Sequence, residues 1–198
     1  MNESGGIYGR RVGIALAVIL GGAAVVAVIL VLTASPEAPA PPRAGVPLAR
    51  AADAAGCELL SPPNEGARHT ESLDERVTYK ANPPTSGAHF LVPAEDGAYT
   101  VAPRPEQTVH SLEHGRIDIQ WNPKTAGTGP LIPGLKALYT RDPYHLLLFP
   151  NQTGMPYEVA ATAWDHALVC KTAEIPAVYT AIDSFIDTYR DKGPEKVP

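Results

Sequence analysis

The chain has 198 residues, of which 44% are hydrophobic and 19% are charged, and it contains 21 prolines. Its 16 Lys and Arg are outnumbered by 21 Asp and Glu, which gives a formal net charge of −5 at neutral pH. A surface that binds phosphate groups needs a basic face, so this composition argues against nucleic acid as a partner. The length allows one folded domain and a short appendage.

An apolar run near the N-terminus, Val12–Leu32, contains no polar or charged side chain. As a helix it would measure roughly 31 Å, which matches the hydrocarbon core of a bilayer and exceeds the apolar region of a typical signal peptide. Two arginines directly precede it, and positive charge favours the cytoplasmic side. We therefore predict a cytoplasmic segment over 1–11, a single membrane-spanning helix over 12–32 and an extracytoplasmic remainder at the cell membrane. Cleavage near Ala34 or Ala40 is the alternative.

Residues 33–56 are rich in alanine and proline, with nine and five of these residues among twenty-four positions. Such a segment buries little apolar surface, and its prolines favour extended geometry. The sequence therefore predicts a linker over 33–56 between the membrane and an extracytoplasmic domain over 57–198.

The elements predicted for this domain follow from the periodicity of apolar residues. We predict a long turn-rich half over residues 60–108, with one short strand at 77–80. A strand follows at 116–121, where RIDIQW alternates apolar and polar residues, and a helix at 131–139. The last elements are strands at 145–149 and 159–170, which pair across the turn at 151–156, and a helix at 175–189. This order predicts an α+β fold with a small, largely antiparallel sheet and two helices.

Cys57 and Cys170 are the two cysteines of the chain. In an oxidising compartment, two cysteines far apart in the sequence favour a disulfide, which here would close a loop of about 114 residues. The alternative is a pair of thiolates that share a metal ion with nearby histidines. The sequence contains no C-x-x-C, so a thioredoxin-type redox function lacks its motif.

The segment His110–Gly115, HSLEHG, carries the densest set of chemically active side chains. Residues four apart share a side in a helix and also in a strand, so His110 and His114 point the same way in either structure. Converging imidazoles are typical of metal ligands. The letters also match the H-x-x-E-H pattern of a class of metallopeptidases, but Gly115 ends any helix here, and we do not favour a peptidase.

Five segments together resemble one bacterial protein family. They are PPTSGAH over 83–89, GAY over 97–99, VHSLEHG over 109–115, TAW over 162–164 and GPE over 193–195. The family is the one designated domain of unknown function 3105, whose members are typically membrane-anchored with one outer domain. The likeness extends roughly from Cys57 to Glu195.

The resemblance implies a set of candidate residues but no reaction. The matched positions are His69, His89, His110 and His114, together with Glu113. His145 and His166 lie outside the similar segments.

Two functions are open for the matched histidines. In the first they form a metal site, with Glu113 as a ligand or as the group that orients one, and zinc or copper as the candidate cofactor. In the second they are buried, hydrogen-bonded groups of a non-catalytic structural or protein-interaction module of the cell envelope, whose protein partner the sequence does not identify. A hydrolase is a weaker alternative: Ser86 and Ser111 lie near histidines, but no G-x-S-x-G motif is present, and we assign no catalytic residue.

Overall fold

The computed structural model describes residues 45–127 and 129–196, which belong to one compact unit. Four helices and six strands occur among these residues. In chain order they are α1 (Leu48–Ala54), β1 (Glu58–Leu60), β2 (Gly97–Ala98), α2 (Pro105–Glu113), β3 (Ile117–Trp121), α3 (Leu131–Arg141), β4 (Leu146–Pro150), β5 (Val159–Ala163), β6 (His166–Cys170) and α4 (Ala177–Tyr189).

The six strands form one mixed sheet in the order β1-β6-β5-β3-β4-β2. The pairs β1–β6, β6–β5 and β5–β3 are antiparallel, whereas β3–β4 and β4–β2 are parallel. The fold is α+β, but the prediction of a largely antiparallel sheet with two helices is wrong. Helix α3 carries the chain from the end of β3 back to the start of β4, and a crossover of this kind makes the two strands parallel.

One face of the sheet carries the hydrophobic core, on which α1, α3 and α4 pack. Because successive side chains of a strand point to opposite faces, Ile117 and Ile119 both point into this core, where they are fully buried. Helix α4 covers them with an apolar stripe that includes Val178, Ile182 and Phe185, as the helical spacing predicts.

Helix α1 lies inside the segment predicted as an extended linker, 33–56. Ala51 and Ala52 are buried, and the helix contacts α4. Pro47 directly precedes the helix, and no proline follows it within α1. Alanine is the strongest helix former, so the chain becomes helical where the prolines stop and then joins the core.

The opposite face of the sheet is covered by α2 and by the turn-rich segment between β1 and α2. Leu147 and Phe149 of β4 pack there against Ala94. Asp118 and Gln120 of β3 point to the same face and are buried as well. The alternation in RIDIQW predicts a half-buried strand. All five residues of β3 are nevertheless buried, because α2 and the turn-rich segment pack on the face that was expected to be exposed.

The turn-rich segment contains no strand at residues 77–80, which corrects the sequence-based prediction. Carboxylates bind its backbone instead of a neighbouring strand. The backbone N–H of Val77 donates to Glu106 Oε1 at 3.1 Å, and that of Lys80 donates to Glu65 Oε1 at 3.0 Å. Side chains thus satisfy backbone groups that a sheet would otherwise satisfy.

The strand predicted at 159–170 is a hairpin, β5–β6, that turns at Trp164 and Asp165. Asp165 has a φ of 60°, a left-handed conformation that Asp tolerates better than most residues. The strand predicted at 145–149 is observed as β4, but it pairs with β3 and β2 rather than with β5.

No helix in the described part of the chain combines the length and apolar character needed to cross a bilayer. The membrane-spanning helix predicted over 12–32 lies outside the described residues, as does the segment 1–11. The four helices observed all belong to the α+β domain.

Cys57 and Cys170 form a disulfide, with their Cα atoms 4.3 Å apart, which confirms the prediction. The bond connects the residue before β1 to the last residue of β6 across a sequence separation of 113. It excludes the alternative in which these sulfurs act as free thiolates toward a metal ion.

Reducing this disulfide should destabilise the domain by about 2–5 kcal/mol, because the unfolded chain regains the conformational freedom of a long loop. Chemical unfolding of the chain with and without a thiol reductant measures the difference. The double variant Cys57→Ala/Cys170→Ala is the control, since its stability should not respond to the reductant. Equal stability of the oxidised and reduced wild type would contradict the prediction.

Asp118 is the most deeply buried carboxylate of the described residues, with 1% of its surface exposed. It stands directly across from Thr162 of β5, and neither its two oxygens nor the Thr162 hydroxyl has a hydrogen-bond partner. Burial raises the pKa of Asp118 well above its usual range, and the positive charge of Arg116 opposes this only in part. The folded state therefore favours the neutral carboxylic acid.

Asp118→Asn should raise the free energy of unfolding at pH 7 by about 1–3 kcal/mol, because the wild-type carboxyl must take up a proton when the chain folds, whereas the amide is neutral in both states. The unfolded carboxyl ionises at lower pH than the folded one, so the wild type loses stability as pH rises above about 4. The gain should therefore shrink toward pH 4. Unfolding curves at several pH values test this, with the exposed Asp74→Asn as control; a pH-independent difference would contradict it.

Candidate metal centre

Helix α2 and the residue that directly follows it supply three of the predicted ligands. Pro105 begins the helix, in the first turn where its missing N–H costs no hydrogen bond. The helix gives way to Gly115, whose φ of 84° is readily adopted only by glycine. His110, Glu113 and His114 are three and four residues apart, so they lie on neighbouring positions of one helix side.

A short parallel bridge places His69 beside His89. The backbone N–H of His89 donates to the Arg68 carbonyl at 2.9 Å, and that of Thr70 donates to the His89 carbonyl at 2.7 Å. These two bonds fix the backbone of both histidines, although neither belongs to a strand of the sheet.

The tight turn before His89 requires glycine at position 87. Gly87 has a φ of 122°, and a Cβ there would lie 3.0 Å from the ring of Tyr79. The Tyr79 hydroxyl donates to the Ala88 carbonyl at 2.7 Å, and burial raises the pKa of Tyr79 so that the donor stays protonated. This packing directs His89 into the interior.

Three imidazole rings and one carboxylate converge beside α2. The ring centroids of His69, His89 and His110 are 4.8 to 5.0 Å apart. One ligand atom from each of these rings and one Glu113 carboxylate oxygen all lie within 4.8 Å of one another. His89, His110 and Glu113 are buried while His69 is exposed, so the inner cluster, as we call these four residues, opens to solvent at His69.

Backbone carbonyls fix the tautomers of two inner-cluster histidines. His89 Nδ1 lies 2.8 Å from the Gly87 carbonyl oxygen, and His110 Nδ1 lies 2.6 Å from that of Phe90. A carbonyl oxygen only accepts, so Nδ1 carries the proton in both rings and the neutral imidazole has its lone pair on Nε2. This is the arrangement by which proteins orient histidines that bind metals through Nε2.

The contact between His89 and Glu113 is unusual for a buried pair. His89 Nε2 lies 3.0 Å from Glu113 Oε2, and the two side chains are 0% and 8% exposed. Both atoms nevertheless lack a hydrogen-bond partner. With the proton of neutral His89 on Nδ1, two acceptors face each other in a buried place, which is unfavourable unless a positive charge joins them.

His110, His114 and Glu195 continue the cluster toward the surface. His110 Nε2 lies 2.9 Å from His114 Nε2, which lies 3.4 Å from Glu195 Oε2. Burial, together with the nearby His114 and His89, lowers the pKa of His110 to about 4. His110 is therefore neutral at neutral pH, as a metal ligand must be.

All five predicted ligands thus lie in one region, and the other sequence candidates do not join them. His145 pairs with Asp191 at 2.6 Å, and His166 stacks on Tyr189. The Ser86 hydroxyl accepts from the Glu65 backbone, and the Ser111 hydroxyl contacts backbone carbonyl oxygens. Neither serine lies next to a histidine as a nucleophile next to its base.

Sequence reasoning missed Glu195, which belongs to a second group with His110, Glu113 and His114 whose ligand atoms also lie within 4.8 Å of one another. Its place depends on a contact between distant segments: the Glu195 backbone N–H donates to the Glu113 carbonyl at 3.1 Å. The segment GPE over 193–195 contains this glutamate, but the sequence alone does not indicate that it is a ligand.

The structure defines an α+β domain with a mixed six-stranded sheet and a cluster of three histidines and a glutamate that is buried except at His69. Residues 69–198 match the family described as protein of unknown function (DUF3105), and the chain belongs to this family. The match confirms the resemblance seen in the sequence, and the matched region contains all five predicted ligands. No curated protein and no solved structure matches the chain.

We expect His110 of the metal-free protein to stay neutral down to about pH 4, with its proton on Nδ1. In the unfolded chain the same ring takes up a second proton and becomes charged near pH 6.5. This histidine therefore makes folding less favourable as pH falls from 6.5 toward 4. Imidazole ¹⁵N shifts followed by NMR across this range report both the tautomer and the pKa. A His110 that titrates near 6.5, or carries its proton on Nε2, would contradict the assignment.

Proposed function

We propose that this domain is a metal-binding module that holds one transition-metal ion, zinc or copper, in the inner cluster of His69, His89, His110 and Glu113. The ligands are the Nε2 atoms of the two buried histidines, one ring nitrogen of His69 and one oxygen of Glu113.

The pair of His89 Nε2 and Glu113 Oε2 is the observation that carries this proposal. Two buried acceptors 3.0 Å apart without hydrogen-bond partners call for a positive charge. A cation bound by both satisfies both. A second proton on His89 is the competing explanation, and it would make the pair a buried ion pair of purely structural value.

The size of the inner cluster suits a metal ion after a small contraction. Ligand atoms at about 2.05 Å from a tetrahedral zinc lie roughly 3.3 Å from one another. The four ligand atoms here lie within 4.8 Å of one another, so binding requires movements on the order of 1 Å. His69 is exposed and outside regular structure, so its ring can move without disturbing the core.

The types of ligand atom indicate which metal ions the inner cluster can bind and what it can do with them. Three imidazoles and one carboxylate suit zinc in a tetrahedral site, and imidazole also suits copper. Four protein ligands leave no open position in such a site, which favours holding or transferring the ion over catalysis at it. The serines near the cluster are occupied by backbone contacts, which agrees with this choice.

The full chain should bind Zn²⁺ stoichiometrically, and His89→Ala should weaken binding by about 100-fold or more, because one of four ligands is lost. Glu113→Gln should weaken it as well while keeping the shape of the side chain. Calorimetric titration measures the affinity, and thermal unfolding with Zn²⁺ should show stabilisation of the wild type that both variants lack. His166→Ala is the matched control, since this histidine lies outside the cluster.

The structural alternative gives different results in the same experiment. It predicts no Zn²⁺ or Cu²⁺ binding by the wild type, and a loss of stability in His89→Ala that is independent of added metal. Equal metal binding by the wild type and His89→Ala would also overturn the proposal, since the ion would then lie elsewhere.

A further inference from the structure

We propose that the C-terminal segment builds a second cation position from Glu113, His114 and Glu195, so that the site holds two metal ions bridged by Glu113. The inference rests on the proposed function, because the first ion occupies the inner cluster. We call this second group the outer position.

The segment after α4 is docked on the end of α2 by close backbone contacts. A Cβ on Gly193 would lie 2.1 Å from the Glu113 carbonyl oxygen, and one on Gly115 would lie 2.8 Å from Asp191 Cα. The Asp191 backbone N–H donates to the Gly115 carbonyl at 2.9 Å, and that of Glu195 donates to the Glu113 carbonyl. Two glycines therefore permit a contact that delivers the Glu195 carboxylate to α2.

Glu195 reaches the one ligand of α2 that the inner cluster does not use. Its Oε2 lies 3.4 Å from His114 Nε2. His114 Nε2 otherwise contacts His110 Nε2 at 2.9 Å, and that contact is lost once His110 Nε2 binds the inner ion. The lone pair of His114 Nε2 and the carboxylate of Glu195 then face each other at the surface, and both are free to bind a second ion.

Glu113 connects the two positions. Its Oε2 faces His89 in the inner cluster, and its carboxylate also belongs to the group formed with His114 and Glu195. A carboxylate has two oxygens, and proteins use such groups to bridge metal ions roughly 3.5–4 Å apart. The outer position has three protein ligands and a partly exposed side, so water or a small anion can complete its coordination.

The test measures how many ions the full chain binds and whether they are adjacent. We expect two equivalents of Zn²⁺ by calorimetry and metal analysis. With Cu²⁺, the first equivalent should give the EPR spectrum of an isolated ion and the second should produce magnetic coupling between neighbouring ions.

Two variants test whether the second ion requires the C-terminal segment. Glu195→Gln removes the ligand charge, and Gly193→Ala displaces the segment while keeping Glu195; each should retain one tight equivalent and lose the second, together with the coupling. Glu174→Gln, at an exposed glutamate outside both groups, is the control and should still bind two.

The outcomes separate this inference from the proposed function. One equivalent in the wild type, lost in His89→Ala, overturns the outer position and leaves the inner site intact. A second equivalent that persists in Glu195→Gln and Gly193→Ala, or two ions without magnetic coupling, also overturns it. Absence of any bound ion overturns both.

Discussion

Helix α2 is buried on both sides, although most of its buried residues are polar. Seven of its nine residues are buried, and five of these carry polar or charged side chains: Glu106, Thr108, His110, Ser111 and Glu113. A polar group removed from water is unfavourable unless it finds a hydrogen-bond partner. The conformation of the turn-rich segment follows from this requirement, because that segment must bring backbone donors and acceptors to the helix.

Most of these requirements are met by specific atoms of the segment. Glu106 accepts from the Val77 backbone, and the rings and hydroxyls of α2 reach carbonyl oxygens such as those of Phe90 and Ala94. The contact of His89 with Glu113 differs from these, since its two facing atoms have no hydrogen-bond partner, a property that they share with Asp118 and Thr162 of the sheet. A cation bound between these two atoms, as proposed above, would supply the missing partner of both.

Local features of this fold follow from the sequence, whereas contacts between distant segments do not. The period of apolar residues predicts α3 and α4, and the four-residue spacing predicts that His110 and His114 share a side. The alternation in β3 shows which face is apolar but not what covers the other face. From the sequence alone, Asp118 and Gln120 are therefore expected to be exposed, whereas in the structure they are buried. The strand–helix–strand order could have predicted the parallel pairing of β3 with β4, because a helix that crosses over between two neighbouring strands makes them parallel. Glu195 reaches α2 only through a contact that no local pattern encodes.

The two groups of candidate ligands depend on different parts of the molecule. His69 and His89 are held by backbone hydrogen bonds within the turn-rich segment, and His110 by its own helix and the Phe90 carbonyl. Glu195, by contrast, follows α4, whose position is set by the apolar core on the other face of the sheet. Backbone contacts then hold the segment after α4 against the end of α2, where the Glu195 N–H donates to the Glu113 carbonyl. The position of Glu195 therefore depends both on the apolar core that places α4 and on the backbone contacts with α2, whereas the two buried histidines depend on neither the C-terminal segment nor α4.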